Sequence, residues 1–154
     1  MKTGIVIPPS AAAILLSLLI CSHAWGQASS IPTSRLINPE DLVKVLQKGT
    51  EKPLILEVGP HTLFAQAHIV GSEYVGAAST EAGLNRLRKR VESVPRAQFI
   101  VVYCGCCPWS HCPNVKPADD ALAAMGFTKV KVLYLSDNFG ANWVDKGYPT
   151  AKGE

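Results

Sequence analysis

This 154-residue sequence lacks the motifs of several common enzyme classes. It contains no glycine-rich phosphate loop, no carboxylate pair that stands out as an acid–base couple, and no Ser-His-Asp arrangement. The usual signatures of nucleotide-dependent enzymes, glycosidases and serine hydrolases are therefore missing. Internal repeats and flexible linkers are missing as well, so we expect one domain rather than an array of modules.

Strong charge is another feature that the sequence lacks. Fifteen Lys and Arg residues against twelve Asp and Glu residues give a net charge of only +3. A short basic run lies at Arg86–Arg90, but no aromatic residues interleave with it, as they do on a nucleic-acid-binding face. We interpret this run as the solvated face of a helix and expect no nucleic-acid partner.

Residues 1–28 have the pattern of a signal peptide. Lys2 is a short positive region, residues 11–20 form an apolar core, and residues 26–28 form a small-residue exit. The apolar core is too short to span a bilayer comfortably. We therefore predict cleavage after Ala28, no stable membrane insertion afterwards, and an exported protein that is periplasmic or secreted. Cys21 raises a lipoprotein alternative, which the large residues before it disfavour.

Cysteine is scarce outside one short stretch. Four of the five cysteines (Cys104, Cys106, Cys107 and Cys112) fall within nine residues, and the fifth lies in the predicted signal peptide. A structural disulfide framework gains most from closing long loops, whereas these cysteines can close only short ones. Although disulfides persist in the compartments that exported proteins reach, we interpret this concentration as redox or sulfur chemistry rather than stapling.

Strand and helix patterns alternate along residues 29–154. We predict a polar lead-in at 29–37, helices starting at Asn38-Pro39, Ser79 and Lys116-Pro117, a helical turn at 61–67, a short helix at 141–146, and strands at 53–58, 73–75, 98–103 and 129–135. This alternation favours an α/β fold in which helices cover both faces of a central, mostly parallel sheet. Ligands of such folds bind beyond the carboxyl ends of the strands, which is where Cys104 lies.

Six stretches resemble the rhodanese-like family of sulfurtransferases and their inactive relatives. They are Leu54-Ile-Leu-Glu-Val58, Phe64-Ala-Gln-Ala-His-Ile-Val-Gly71, Ile100-Val-Val-Tyr-Cys104, Leu122-Ala-Ala-Met-Gly-Phe127, Val130-Lys-Val-Leu133 and Trp143-Val-Asp-Lys-Gly-Tyr-Pro149. Their order and spacing match a single rhodanese-like domain, to which we assign residues 29–154. The resemblance implies the α/β architecture described above.

The resemblance also implies a role for Cys104. In this family the corresponding cysteine carries sulfane sulfur as a persulfide, taken from a small donor such as thiosulfate and passed to a thiol or cyanide acceptor. No cofactor is expected, and a protein thiol is a further candidate partner. Loop amides and the following helix N-terminus would stabilise a Cys104 thiolate. We assign the substrate-binding loop to Gly105, Trp109, Ser110, His111 and Lys116.

The chain departs from the family pattern at two places. The family usually has Asp-Val-Arg where this chain has Glu57-Val58-Gly59, so a customary structural arginine is missing. The active loop of typical members often ends in a cation that binds anionic sulfur donors, whereas here that position is Trp109. Lys116 and His111 are the nearest replacements. These departures leave the sulfur donor open.

The other loop cysteines keep several alternatives open. Cys106, Cys107 or Cys112 either resolve a persulfide on Cys104 or form a disulfide that braces the loop. Soft ligands are numerous enough for zinc or copper(I), but one loop would have to wrap the ion alone, and we predict no metal site. The remaining alternatives are a non-catalytic binding module with this fold and a thioredoxin-like oxidoreductase, which the strands preceding the loop disfavour.

Overall fold

The computed structural model describes Met1 and residues 31–153. Met1 apart, the predicted signal peptide and its cleavage point at Ala28 lie outside the described residues. Four helices and seven strands occupy the described part of the chain. They are β1 (Leu36–Ile37), α1 (Pro39–Lys48), β2 (Leu54–Glu57), α2 (His61–Gln66), β3 (His68–Ile69), β4 (Glu73–Tyr74), α3 (Glu81–Val91), β5 (Ile100–Tyr103), α4 (Val115–Ala124), β6 (Val130–Leu133) and β7 (Thr150–Ala151).

Five strands form one sheet in the order β1-β6-β5-β2-β4, and every pair in it is parallel. The central strand β5 is buried at all four positions, in accord with its unbroken apolar sequence. The parallel sheet predicted from the alternation of strands and helices is therefore confirmed. No helix among the described residues is both long enough and apolar enough to cross a membrane.

Helices cover both faces of this sheet, also as predicted. Because side chains alternate along a strand, Ile100 and Val102 of β5 face one layer while Val101 and Tyr103 face the other. The first layer contains the apolar sides of α3 and α4. The second contains α1 and a short π-helical turn, Gly140–Val144, where a short helix at 141–146 was expected.

The helix ends follow the expected chemistry with one exception. α1 begins with Pro39 in its first turn and ends at Gly49, whose φ of 64° suits glycine. The Asn38 side chain, predicted as the cap of α1, makes no capping hydrogen bond. In α3 the cap is present, because the Thr80 hydroxyl accepts a hydrogen bond from the Gly83 amide at 3.1 Å.

The predictions were wrong at the two edges of the domain. The predicted polar lead-in at 29–37 contains a buried Ile31 and the edge strand β1, which pairs with β6. The strand β7 was not predicted, and it pairs antiparallel with β3. Each of these strands has two residues, too few to show a period in the sequence. Pairing with a distant strand, rather than local pattern, fixes them.

The start of α4 also differs from the prediction. The helix begins at Val115, before Lys116 and Pro117. Asp119 is therefore a buried mid-helix residue rather than part of the opening turn, and it is paired with Arg35. The earlier start shortens the loop that contains the cysteines and places the first turn of the helix against it.

Candidate active site

The cysteine loop lies at the carboxyl edge of the sheet. β5 ends at Tyr103, Cys104 follows at once, and the loop then runs to the start of α4 at Val115. The neighbouring strand β2 ends beside it at Glu57, which is paired in register with Tyr103. This edge is the usual ligand-binding side of a parallel α/β sheet. The position predicted for Cys104 from its sequence is therefore the position it has.

Three sulfur atoms cluster at this edge. The Sγ atoms of Cys104, Cys106 and Cys112 all lie within 4.8 Å of one another. Cys104 is 4% exposed, and its Sγ is 3.2 Å from that of Cys106. The Cys106 Sγ is in turn 2.8 Å from that of Cys107. All four cysteines are free thiols here, and the predicted disulfide is not formed.

The backbone amides at the start of α4 donate to the sulfur of Cys112. A hydrogen bond from the Cys104 thiol, together with the backbone amides of Asn114 and Val115 at the start of α4, lowers the pKa of Cys112 to about 6. The same hydrogen bond and burial raise the pKa of Cys104 above its ordinary value. The two shifts run in opposite directions and favour Cys112 as the thiolate of the pair and Cys104 as the thiol.

The Cys107 thiol hydrogen-bonds to Cys106 and Cys112. Desolvation and the neighbouring Cys106 raise the pKa of the Cys107 thiol to about 12, so it is protonated at neutral pH. Its Sγ lies 3.8 Å from the carbonyl oxygen of His111, on the outer side of the loop. Of the cysteines predicted to resolve a persulfide, Cys106 and Cys112 contact Cys104 and Cys107 does not.

Asn114 is a site residue that the sequence analysis missed. Its buried side chain donates from Nδ2 to the Sγ of Cys104 at 3.4 Å, and the same nitrogen lies 3.9 Å from the Sγ of Cys106. Its Oδ1 accepts a hydrogen bond from the Ser79 amide at 2.9 Å, which fixes the orientation of the side chain. A donor held at this distance stabilises negative charge on the Cys104 sulfur, whether that charge is on a thiolate or a persulfide.

Glu57 is the second residue that was missed, although its sequence carried a signal. It is the only charged residue in the strand run Leu54–Val58, and it is 2% exposed. Burial raises the pKa of its carboxyl from 4.5 to about 7, although the amides of Gly59 and Gly105 donate to it and oppose that rise. Its Oε2 has no hydrogen-bond partner among the described residues.

Gly59, which replaces the customary arginine, makes room for this carboxyl. A Cβ atom on Gly59 would lie 2.6 Å from Oε1 of Glu57 and 2.7 Å from the Sγ of Cys104. No side chain fits there without displacing one of them. Because residue 59 has no side chain, the Glu57 carboxyl and the Cys104 sulfur both border the space that a Cβ atom would fill.

A pocket of about 310 Å³ opens next to the loop, on the side of Glu57. Its wall is formed by α2, by the loop and by the segment that follows β6. The lining residues are Glu57, Leu63, Phe64, Gln66, Ala67, Tyr103, Gly105, Cys106, Asn138, Phe139, Gly140 and Val144. Among these described residues none is a lysine, an arginine or a histidine. We call this cavity the Glu57 pocket.

Of the loop residues predicted to bind substrate, only Gly105 lines the Glu57 pocket. Gly105 is tightly placed, because a Cβ atom there would lie 2.9 Å from the Cβ of Phe139. The Trp109 ring packs against Tyr134 with centroids 5.1 Å apart. These two positions shape the loop, and of the two only Gly105 lines the Glu57 pocket.

The two predicted cationic replacements do not face Cys104. The Nδ1 of His111 lies 2.8 Å from the Ser110 hydroxyl, and both side chains are exposed. Lys116 forms an ion pair with Asp120 one turn further along α4. The site therefore lacks a positive charge among its described residues, and this agrees with the departure from the family pattern at Trp109.

The sulfur cluster also has the spacing that a soft metal ion would need, since three thiol sulfurs within 4.8 Å of one another can share one ion. The fourth cysteine side chain is directed to the outer side of the loop. The arrangement is thus three-coordinate, unlike the four-ligand tetrahedral sites typical of structural zinc. The same thiols are arranged for nucleophilic chemistry, as described above.

A parallel α/β sheet with a buried cysteine at the end of its central strand defines the architecture of this domain. The chain belongs to the rhodanese-like domain family, because residues 38–136 match the model of that family. This match covers well over half of the chain. No curated protein matches the chain.

Solved structures show the same fold. The BH2092 protein from Bacillus halodurans is 18% identical, with a TM-score of 0.59 over 77% of this chain and 77% of that chain. The Alr3790 protein from Anabaena sp. is 22% identical, with a TM-score of 0.58 over 75% of this chain and 82% of that chain. A thiosulfate sulfurtransferase from Pseudomonas aeruginosa is 21% identical, with a TM-score of 0.58 over 77% of this chain but 20% of that chain. Likeness at these identities establishes the fold alone.

Proposed function

We propose that this protein is a sulfurtransferase that carries sulfane sulfur as a persulfide on Cys104 and releases it with the help of Cys112. The observation that carries the proposal is the sulfur cluster itself. Cys104 lies at the end of the central strand, and the sulfurs of Cys106 and Cys112 are within 4.8 Å of it. Family membership adds support, because this chemistry occurs among rhodanese-like proteins.

In the first step the Cys104 sulfur attacks the outer sulfur of a donor. Cys112, as the thiolate of the pair, accepts the proton of the Cys104 thiol while the new S–S bond forms. The S–S bond of the donor breaks, and its leaving group departs with the electron pair. Asn114, which donates to the Cys104 sulfur at 3.4 Å, stabilises the resulting anionic persulfide.

In the second step the sulfur leaves by one of two routes. An external thiol or cyanide attacks the outer sulfur and restores the Cys104 thiol. Alternatively, Cys112 attacks the inner sulfur, forms a Cys104–Cys112 disulfide and expels hydrosulfide. The disulfide then requires a thiol reductant, for which a partner protein thiol is a candidate. Cys112 is better placed than Cys107 for this role, because its Sγ lies within 4.8 Å of the Cys104 Sγ and the backbone amides of Asn114 and Val115 favour its thiolate.

Intact-mass analysis tests the proposal. The purified, reduced protein is exposed to thiosulfate or to an organic persulfide, and sulfide release is measured in parallel. We expect a gain of one sulfur atom that then gives way to an intramolecular disulfide. Cys104→Ser should abolish the gain. Cys112→Ser should gain the sulfur more slowly, because the base is missing, and then retain it for longer, because the resolving thiol is missing too. Equal loading of the parent and Cys104→Ser would contradict the assignment of the carrier.

A non-catalytic binding module is the second candidate function. The observation that favours it is the burial of Cys104, which is 4% exposed, in a loop with no cation directed at it. In this alternative the loop cysteines oxidise to a brace, and the protein binds a partner without turnover. Rapid formation of disulfides without any gain of sulfur, in the same mass experiment, would favour it.

We further propose that the protein acts after export, in the periplasm or outside the cell, once residues 1–28 have been removed. The support is the charge and hydropathy pattern of those residues. N-terminal sequencing of the protein from cell fractions tests this. A start at Ser29 in the exported fraction is expected, and an intact Met1 in the cytosolic fraction would contradict it.

A further inference from the structure

The Glu57 pocket differs in charge from a site built for an anionic sulfur donor. Among its described lining residues the one ionisable carboxyl is that of Glu57, and no cationic side chain is present. The Sγ of Cys112 lies within 4.8 Å of that of Cys106, which lines the pocket, and the lowered pKa of Cys112 favours a negative charge on this side as well. A dianion such as thiosulfate would enter this environment without a counter-charge, which is unfavourable in a partly enclosed cavity.

The same pocket is well suited to a short apolar group. Leu63, Phe64, Ala67, Phe139 and Val144 present apolar surface to a volume of about 310 Å³. That size lies at the lower end of small-molecule sites, so a short alkyl or aryl group fits better than a large cofactor. Burial of such a group against these side chains would be favoured by the hydrophobic effect.

The polar end of the pocket is where the sulfurs are. Glu57 and Cys106 both line it, and the Cys106 Sγ is 3.2 Å from that of Cys104. The buried Oε2 of Glu57 has no hydrogen-bond partner among the described residues, which is costly unless a ligand satisfies it. A ligand with a neutral S–H group at this end would provide that partner.

We propose that the Glu57 pocket binds the protonated form of an organic persulfide, R–S–SH with a short apolar R group, as the sulfur donor, and that it discriminates against donors with a further negative charge. This inference rests on the proposed function. The R group occupies the apolar wall, and the S–SH group lies between Glu57 and the cysteine sulfurs. Glu57 determines specificity, because its carboxyl repels anions and hydrogen-bonds a neutral donor.

Sulfur transfer from such a donor balances with the groups at hand. The Cys104 sulfur attacks the outer sulfur, the R–S bond to that sulfur breaks, and a Cys104 persulfide forms. The Cys104 proton passes to Cys112, as before. The leaving thiolate R–S⁻ departs with the electron pair of the broken S–S bond and takes a proton from solvent. Glu57 stays ionised throughout this step and holds the donor by accepting its S–H hydrogen bond.

Two donors that differ only in charge test the inference. We would compare n-butyl hydropersulfide with 3-carboxypropyl hydropersulfide, which has the same reactive group and a terminal carboxylate, and include thiosulfate as a dianion. Loading of the purified protein at pH 7.5 (roughly physiological) is followed by intact mass. The two donors ionise alike at the S–SH group, so the terminal carboxylate is the difference between them. We expect n-butyl hydropersulfide to load sulfur at least about tenfold faster than 3-carboxypropyl hydropersulfide. Glu57→Gln should reduce this preference to below about threefold, because the repelling charge is gone.

A second variant acts through the shape of the pocket rather than its charge. Ala67→Leu places a larger side chain on the pocket wall and should slow loading by the neutral donor at least about tenfold, since the cavity is small. Ala82→Leu is the matched control, because Ala82 is exposed on α3 and does not line this pocket. Circular dichroism establishes that each variant is folded.

The outcomes separate this inference from the proposed function. Equal loading rates from the two persulfides and from thiosulfate would overturn the pocket assignment and leave the sulfurtransferase proposal intact. Unchanged loading in folded Ala67→Leu would overturn the assignment in the same way. No loading from any donor would overturn both.

Discussion

Two buried carboxylates in this protein have similar exposure and opposite surroundings. Asp119, in α4, is 4% exposed and forms an ion pair with Arg35. Glu57, at the end of β2, is 2% exposed and has no cation beside it, and its Oε2 has no partner among the described residues. The first belongs to the region that holds the helical layer on the sheet. The second belongs to the edge where the sulfurs lie.

The difference separates stabilising burial from functional burial. A buried charge with a partner costs the fold little, whereas one without a partner raises the free energy of the folded state. Perturbed groups of the second kind cluster at sites that bind or react with ligands. The contrast thus identifies the carboxyl edge of the sheet, rather than the α4 layer, as the region where stability has been given up for function.

Removal of Arg35 should have the largest effect on stability, because it leaves the buried Asp119 carboxylate without a cation, as Glu57 is. Arg35→Ala leaves Asp119 buried without its cation, and we expect the free energy of unfolding to fall by about 3–4 kcal/mol. Urea denaturation at neutral pH, under reducing conditions, measures this. Lys44→Ala is the control, since it removes the exposed Lys44–Asp41 pair and should leave stability unchanged. Equal losses of unfolding free energy in Arg35→Ala and Lys44→Ala would show that the buried ion pair of Asp119 is no more important for stability than an exposed one.

The pH dependence of stability should reveal Glu57. Burial raises its pKa from 4.5 to about 7, so across that interval the folded state keeps a proton that the unfolded state has lost. Stability should therefore fall as the pH rises from 4.5 to 7, by about 3 kcal/mol in all, and not fall further from this cause above pH 7.

Glu57→Gln should lack this contribution. Denaturation of both proteins at several pH values between 5 and 8 (roughly the range of the shift) gives the difference between their stability curves. The lowered pKa of Cys112 adds stability to both proteins as the pH rises above 6, and only its electrostatic interaction with Glu57 remains in the difference. Parallel curves would show that Glu57 titrates normally.

A smaller effect is expected from filling the space between Glu57 and Cys104. In Gly59→Ala the new Cβ would lie 2.6 Å from Oε1 of Glu57 and 2.7 Å from the Cys104 Sγ. We expect a loss of about 2 kcal/mol in stability, together with slower sulfur loading per folded molecule. In the control Gly49→Ala, no atom lies within 4 Å of the new Cβ, but φ is 64°. It should lose about 1 kcal/mol through backbone strain and load sulfur normally.

The smallest effect is expected at the outer side of the loop. The raised pKa of Cys107, about 12, keeps it protonated at neutral pH, and its sulfur does not contact Cys104. Cys107→Ser should therefore change the yield of released sulfide by less than about twofold, while Cys112→Ser lowers it several-fold. Sulfide release after loading measures both. A larger loss in Cys107→Ser than in Cys112→Ser would reverse our assignment of the resolving thiol.

The parts of the fold that could be predicted are those with a clear period. The apolar runs of β2, β5 and β6 and the amphipathic helices α1 and α3 were recognisable, because each has enough residues to show burial on its own. β1 and β7 were not, since two-residue strands are defined by their partners. The predicted start of α4 was two residues too late, because Pro117 was expected to mark the beginning of the helix and is in fact within the first turn, after Val115.

The candidate site was predictable in position but not in its electrostatics. The strand before Cys104 fixes where that residue lies, so the carboxyl edge of the sheet followed from the sequence. Which sulfur receives the helix amides depends on the path of the loop, and no periodicity describes that path. Glu57 could have been found as the one charged residue of a buried strand. Asn114 gave no such signal, because its role depends on Ser79 and Cys104 together.

The pairing of β1 with β6 has a consequence for how the chain folds. Leu36 is in register with Val132, so the sheet joins residues that are far apart in sequence. Such long-range pairing is slow to form, and it requires β6 to be present. During synthesis the four thiols between residues 104 and 112 therefore emerge before the strand that completes the sheet. Until β6 pairs with β5, the sheet edge that buries Cys104 is incomplete, so the thiols are more exposed to oxidants than they are in the folded protein.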